Sequence, residues 1–305
     1  MIYTITLNPA IDYVVKLDVL EQGTINRSQG DYKEAGGKGI NVSRVLDRLG
    51  TTSTALGFIG GFTGKFITNY LEKVGIAHDF VSLQEDTRIN VKLKAGNEET
   101  EVNGKSPAIT EENYESFVNK LRGLTSEDMV VLAGSLPASL PEDTYHSIVT
   151  MLNAQGVSVI LDTSGSALEQ AIKASPAFIK PNNHELADLF SEKIKTDLDV
   201  VRLAKRLHVE NRIDHVLVSM AKEGAIYVGE AGTFKLSAPT GRAVHSVGAG
   251  DSSVAGFLYK WQKSNHAEEA AKYAVASGSA TAFSKTLCTK DEVEKLLEEV
   301  QVTKL

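Results

Sequence analysis

Short runs of β-branched and apolar residues, each bounded by turn formers, recur along the chain: IYTITL from Ile2, TALGFIG from Thr54, MVVLAG from Met129, VSVILD from Val157 and HVLVS from His215. Runs this short with so little polar interruption read as strands buried on both faces. Between them lie segments with helical apolar spacing, such as Val42, Val45, Leu46 and Leu49, or Val254, Phe257, Leu258 and Trp261. The alternation predicts an α/β chain, a twisted and mainly parallel sheet covered by helices. No internal repeat and no low-complexity linker divides the 305 residues, so one domain spanning 1–305 is expected.

One stretch departs from this pattern. From Arg88 to Lys94 polar and apolar residues alternate strictly, which predicts a strand with one face in solvent. A Gly96-Asn97 turn and a polar stretch to Asn103 follow, so a hairpin outside the main sheet is expected. With DYVVKL near residue 12, these strands make a small β lid over a cleft, drawn from about 12–30 and 86–103. The wet face would carry Arg88, Asn90, Lys92 and Lys94, with Lys92 and Lys94 solvated. An exposed lid edge also offers a surface on which a second copy could pair, a homodimer through the lid.

Composition narrows the classes of partner. Lys and Arg number 32 against 39 Asp and Glu, and no basic run could neutralise a phosphate backbone, so nucleic acid is not expected. No apolar run reaches the ~18 residues of a membrane span, and the start lacks a secretory n-region. Cys288, the only cysteine, cannot form an intrachain disulfide, and no Cys/His spacing suits zinc. These features are those of a cytoplasmic protein.

Two glycine clusters precede helical segments. In Ser246-Val247-Gly248-Ala249-Gly250-Asp251 the glycines allow a tight turn that exposes N–H groups at a helix N-terminus, a cradle for phosphate. Asp251 there is either a helix cap or a general base taking a proton from an attacking hydroxyl. In Gly36-Gly37-Lys38-Gly39-Ile40-Asn41 backbone amides, the Lys38 ammonium and the Asn41 amide suit a sugar or a phosphate, or else make a plain entry turn. Neither cluster is a P-loop or a dinucleotide fingerprint. An arginine at 88 would grip phosphate bidentately, and Asp12 could accept hydrogen bonds from sugar hydroxyls or stabilise its turn. Asn182 and Glu185 have capping-box spacing, the alternative being a carboxylate and amide organising water around Mg²⁺.

The order of these segments carries more than any one of them. TLNPAID, GGKGINVSRVL, GFIGGFTG, DTRINVKL, VLAGSLP, FIKPNNHEL and SVGAGDSSVAGF together resemble the ribokinase-like (PfkB-type) sugar kinases, from residue 1 to about 285. Within that family the lysine of GGKG and the TRINVKL strand point to the branch acting on sugar phosphates. The resemblance implies a ribokinase-like fold with a β lid, and phosphoryl transfer from ATP with Mg²⁺ to a small-molecule sugar phosphate. Asp251 would be the base, with the amides of Gly248, Ala249 and Gly250 as anion hole. Asp12, Gly36, Gly37 and Asn41 would hold sugar hydroxyls, Lys38 and Arg88 the phosphate already present, and Asn90 and Ser135 the cleft edge. Asn182 and Glu185 match the Mg²⁺-linked motif, with Lys180 beside them. ATP would lie along Ser219, Lys222 and Gly224 and against Ser277 and Gly278, whose size leaves room for adenine. The chain departs from the family in two places. Ala221 replaces a glycine of the S-L-G-x-x-G nucleotide loop, and Val102 to Pro107 replaces the N-x-x-G-P pattern where lid and body meet.

Overall fold

A computed structural model describes residues 1–96, 98–244 and 246–305. In chain order the first half contains β1 (Ile2–Thr6), β2 (Ala10–Leu17), β3 (Gly30–Gly36), α1 (Lys38–Leu49), β4 (Ser53–Gly60), α2 (Gly61–Lys73), β5 (Ala77–His78), β6 (Val81–Leu83), β7 (Ile89–Ala95), β8 (Glu98–Val102), α3 (Glu111–Arg122) and β9 (Met129–Ala133). The second half contains α4 (Thr144–Ala154), β10 (Ser158–Asp162), α5 (Gly165–Ala171), β11 (Phe178–Ile179), α6 (Asn183–Phe190), α7 (Asp197–Glu210), β12 (His215–Ser219), β13 (Ala225–Gly229), β14 (Gly232–Leu236), α8 (Ala249–Ser264), α9 (Ala267–Phe283), α10 (Lys290–Leu297) and β15 (Val302–Lys304).

The main sheet runs β15-β14-β13-β12-β11-β10-β9-β1-β4-β5, with β6 also on β4. Pairing is parallel from β12 through β5 and antiparallel from β12 to β15. All five apolar runs are strands of this sheet. Successive residues of each strand point to opposite faces, and the core divides accordingly. Val130 and Leu132 pack with Phe117, Ile148, Leu168 and Leu203 on one side. Val131 and Ala133 pack with Val45, Leu49, Val254 and Phe257 on the other. Full burial of both faces is why these runs carry no alternation. No helix among the described residues is long and apolar enough to cross a membrane.

A separate sheet of order β3-β2-β7-β8 forms the lid. Its extent differs from the expected 12–30 and 86–103, because the return strand β3 begins at Gly30, where the expected segment stops. β3 reads GDYKEAG and is mostly exposed, so no apolar period marks it. In the expected turn, Gly96 has φ 58°, and Asn97 lies outside the described residues. The facing of β7 is the reverse of that expected. Asn90 and Lys92 are each 9% exposed, whereas Ile89 is 39% exposed. The polar side of the strand is the covered one, and Lys92 is buried among carboxylates instead of solvated.

Candidate active site

Parallel strands bring their carboxyl ends to one side of a sheet, where open α/β folds place ligands. Here those ends deliver Asn8 after β1, Ser135 after β9, Asp162 closing β10, Lys180 and Asn182 after β11, and Ser219 closing β12. The N-termini of α1 and α8 meet over the same edge, since Asn41 and Asp251 are hydrogen-bonded to each other.

Gly248 has φ 80°, a left-handed conformation, and starts α8 without a side-chain cap. Asp251, in the first turn, is 5% exposed. It is not the capping residue. Its described hydrogen bond comes from Asn41 Nδ2 to Oδ2 at 2.9 Å. Burial and the neighbouring charge of Asp162 push its carboxyl up to about 6, against the opposing pull of Lys38, Asn41 and Lys180. A carboxylate that is buried and poised near neutral pH at a helix N-terminus can accept a proton. The Ala249 amide already donates to the Ser246 carbonyl at 3.2 Å, so among the described residues it is the one of the three expected anion-hole amides with a backbone partner. A Cβ on Gly250 would lie 3.2 Å from Lys180 Nζ, which puts an ammonium directly beside the turn.

Asp162 was not among the residues singled out in the sequence, yet it organises the floor of the site. Its Oδ1 is 3.5 Å from Lys180 Nζ and 3.6 Å from Lys38 Nζ. Burial works to raise its pKa, but the two ammonium groups outweigh that and hold it below the ordinary carboxylate range. Burial likewise works against the Lys38 charge, and Asp162, Asp251 and Glu185 together more than offset it, holding Lys38 above its usual value. Lys38 thus reaches toward Asp162 and the base. The second oxygen of Asp162, Oδ2, is buried without a partner. The only sequence signal for Asp162 is a carboxylate closing the apolar run VSVIL.

On the lid, Asn90 Nδ2 donates to Asp12 Oδ1 at 3.1 Å, and Lys92 Nζ lies 3.3 Å from Asp12 Oδ2 and 3.7 Å from Glu101. Gly36 leaves room beside them, since a Cβ there would stand 2.7 Å from the Asp12 carboxylate and force it to move. Gly37, at φ 129°, lies in the left-handed region and leads into α1 four residues before the apolar stripe begins. Arg88 is half-buried and donates to the Asn8 carbonyl at 3.0 Å, with Nε unpartnered. Burial lowers its pKa, and Asp12 partly restores it. Asn8 in turn donates to Ser135 Oγ at 3.3 Å.

Asn182 and Glu185 form the capping box that their spacing predicts. Asn182 Oδ1 accepts from the amides of His184 and Glu185, and Glu185 Oε2 accepts from the Asn182 amide at 2.8 Å. The Asn182 oxygen is therefore committed to the helix, while Glu185 keeps Oε1. Among the described residues no three His, Cys, Asp or Glu side chains converge to hold a metal. The donors present, Glu185 Oε1 and the orphaned Asp162 Oδ2, fit Mg²⁺, which binds through one or two carboxylates, water and substrate phosphates.

Ser219 pairs with Asn182 across a β-bridge, joining the expected nucleotide loop to the capping box. Beyond it Ala221 has φ 49°, Lys222 is exposed, and Gly224 packs so tightly that a Cβ would fall 1.9 Å from the Leu236 carbonyl oxygen. Ser277 departs from expectation. It is 0% exposed and lies against Gly256, where a Cβ would be 2.3 Å from its Oγ. Its small size serves the close approach of α8 and α9 and gives adenine no surface, whereas Gly278, facing Ser253, remains partly exposed.

The chain resembles known proteins along its whole length. The pfkB family carbohydrate kinase pattern matches residues 1–293. The 1-phosphofructokinase of Bacillus subtilis (strain 168) is 48% identical over 305 residues, covering 100% of both chains. The D-tagatose-1-phosphate kinase of Bacillus licheniformis is 37% identical over 306 residues, again covering 100% of each. The crystal structure of phosphofructokinase-2 from Escherichia coli in complex with fructose-6-phosphate superposes with a TM-score of 0.92 at 27% identity, covering 98% of each chain. The family pattern across residues 1–293, together with identity sustained from end to end, establishes that the chain belongs to the pfkB family of carbohydrate kinases.

Proposed function

We propose that this kinase transfers the γ-phosphoryl group of ATP to the C6 hydroxyl of fructose 1-phosphate, giving fructose 1,6-bisphosphate and ADP. The observation that carries the reaction type is the buried Asp251 carboxylate at the α8 N-terminus, flanked by Lys38 and Lys180. Asp251 takes the hydroxyl proton as the oxygen–phosphorus bond forms and the bond to ADP breaks. The helix N-terminus, through the Gly248 and Gly250 amides, and the two ammonium groups hold the charge on the phosphoryl group in flight. Because Lys38 reaches the base side of the cleft, we assign it to this charge and leave Arg88 for the phosphate already on the sugar. Asp12, Gly36, Gly37 and Asn41 surround the sugar hydroxyls, with Asn90 and Ser135 at the rim. ATP lies along Ser219, Lys222, Gly224 and Gly278. Glu185 and Asp162, with Lys180 close by, would hold Mg²⁺, which when bound would supply positive charge against the phosphates. Both sheets then work as one kinase domain, the lid excluding water as a competing acceptor, and its β3 and β8 edges are where we place a homodimer contact.

The higher identity to a 1-phosphofructokinase than to a tagatose-phosphate kinase supports fructose 1-phosphate as the acceptor. The test is ADP release with fructose 1-phosphate, tagatose 1-phosphate, tagatose 6-phosphate and fructose 6-phosphate side by side, with Asp251→Asn as the blank. Preference for fructose 1-phosphate, abolished in the variant, is the expected result. Turnover mainly of a tagatose phosphate would keep the chemistry and change the substrate. Tight sugar-phosphate binding without turnover of any would make the protein a sensor.

A further inference from the structure

Arg44 lies one helical turn beyond Asn41 on α1 and is 6% exposed. One terminal nitrogen donates to Asn41 Oδ1 at 3.3 Å, and the other lies 3.8 Å from Glu34 on lid strand β3. The guanidinium sits 5.1 Å from the centre of the Tyr70 ring on α2. Asn41 spends its other end on Asp251, Nδ2 to Oδ2 at 2.9 Å. Glu34, Arg44, Asn41 and Asp251 thus form one chain of polar contacts from the lid to the proposed base.

We infer that Arg44 is a positioning residue, which fixes the orientation of the Asn41 amide and through it the oxygen that Asp251 presents to the cleft. A primary amide has nearly the same shape either way round, and only its partners decide which end faces which group. Turned over, Asn41 would set Oδ1 against Asp251 Oδ2, two acceptors with no proton between them, and the carboxylate would rotate away. Arginine carries donors only and does not lose its charge, so a guanidinium at 44 can satisfy the oxygen end of the amide and never the nitrogen end. Lys38, Lys180 and Asp162 also act on Asp251, but through charge and without fixing a direction. Glu34 and Tyr70 supply what a buried guanidinium requires, a counter-charge and a face to lie on.

The inference rests on Asp251 being the base, and the experiment separates the two claims. In the full-length enzyme, Arg44→Met, Asn41→Ala, the double variant, Arg44→Lys and Asp251→Asn are compared for kcat, for KM of ATP and sugar phosphate, and for Tm. Arg44→Met lowers kcat about tenfold while both KM values stay within about twofold. The double variant is no slower than Asn41→Ala alone, since Arg44 has nothing left to orient. Arg44→Lys, which keeps a donor, recovers part of the loss. Losses in kcat that multiply in the double variant, or a lowered Tm with kcat unchanged, overturn the positioning role while leaving the base intact. Near-normal kcat in Asp251→Asn overturns the base and this inference with it.

Discussion

Asn41 Nδ2 meets Asp251 Oδ2 at 2.9 Å across 210 positions of sequence, and this is the described hydrogen bond to a carboxylate that burial and Asp162 push up to about 6. Such a group favours the unfolded chain once it must ionise. Its pKa is about 3.8 when unfolded, so stability is lost as pH rises from there through about 6, and the full cost is felt above. Replacement by Asn removes that cost. Asp251→Asn gains roughly 1–3 kcal/mol at pH 7.5 and about nothing at pH 4, as read by urea unfolding at both values. An equal shift at both would rule out ionisation as the source.

The same carboxyl must be ionised to accept a proton. The profile of kcat/KM against pH falls on the acid side with a midpoint near 6, activity rising with pH through that window. A midpoint near the ordinary 3.8 would mean that the group is not the base or that substrates relieve its burial.

Lys92 holds Asp12 from the lid side at 3.3 Å. Lys92→Met raises KM for the sugar phosphate about tenfold, with KM for ATP unchanged. Parallel rises in both would point to a general loosening of the lid.

Ser277 Oγ is buried without a partner, and a hydroxyl in that condition costs about 1 kcal/mol or more. Ser277→Ala therefore stabilises the protein by roughly 1 kcal/mol and leaves KM for ATP unaltered. A rise in that KM would return Ser277 to the nucleotide site.

Ala221 holds φ 49°, a strain of ~1–2 kcal/mol for a residue with a Cβ. Glycine relieves it but adds freedom to the unfolded chain, so Ala221→Gly stabilises by about 0.5–1 kcal/mol. Gly224→Ala, facing the Leu236 carbonyl from φ 92°, destabilises by ~3 kcal/mol or more. Thermal melts of the two variants should move in opposite directions.

The buried strands were legible because a strand covered on both faces has no polar positions to blur it, and the five runs sit where their composition puts them. The turn before α8 was legible because its glycines and Asp251 are contiguous. What escaped detection was held together by tertiary pairing. Asp162 acquires its meaning from Lys38 and Lys180, which lie 124 and 18 positions away. Lys92 looked solvated because alternation reports that a strand has two unlike faces and does not say which one is covered. Carboxylates on β2 and β8 make the lysine side the inner one. Arg44, within a helical stretch, gave no sign that its oxygen partner was a neighbour of the base.

The place of β1 between β4 and β9 has a consequence during synthesis. A ribosome finishes β4 at Gly60 but does not complete β9 until Ala133. At roughly 5–20 residues per second, one edge of β1 stays unpaired for about 4–15 s. Through that interval the nascent chain offers Ile2 and Ile5 on an open backbone edge, the sort of surface that strand-capturing chaperones or other nascent chains can join. Translation speed between residues 60 and 133 is accordingly a lever on yield that no measurement on the finished enzyme would reveal.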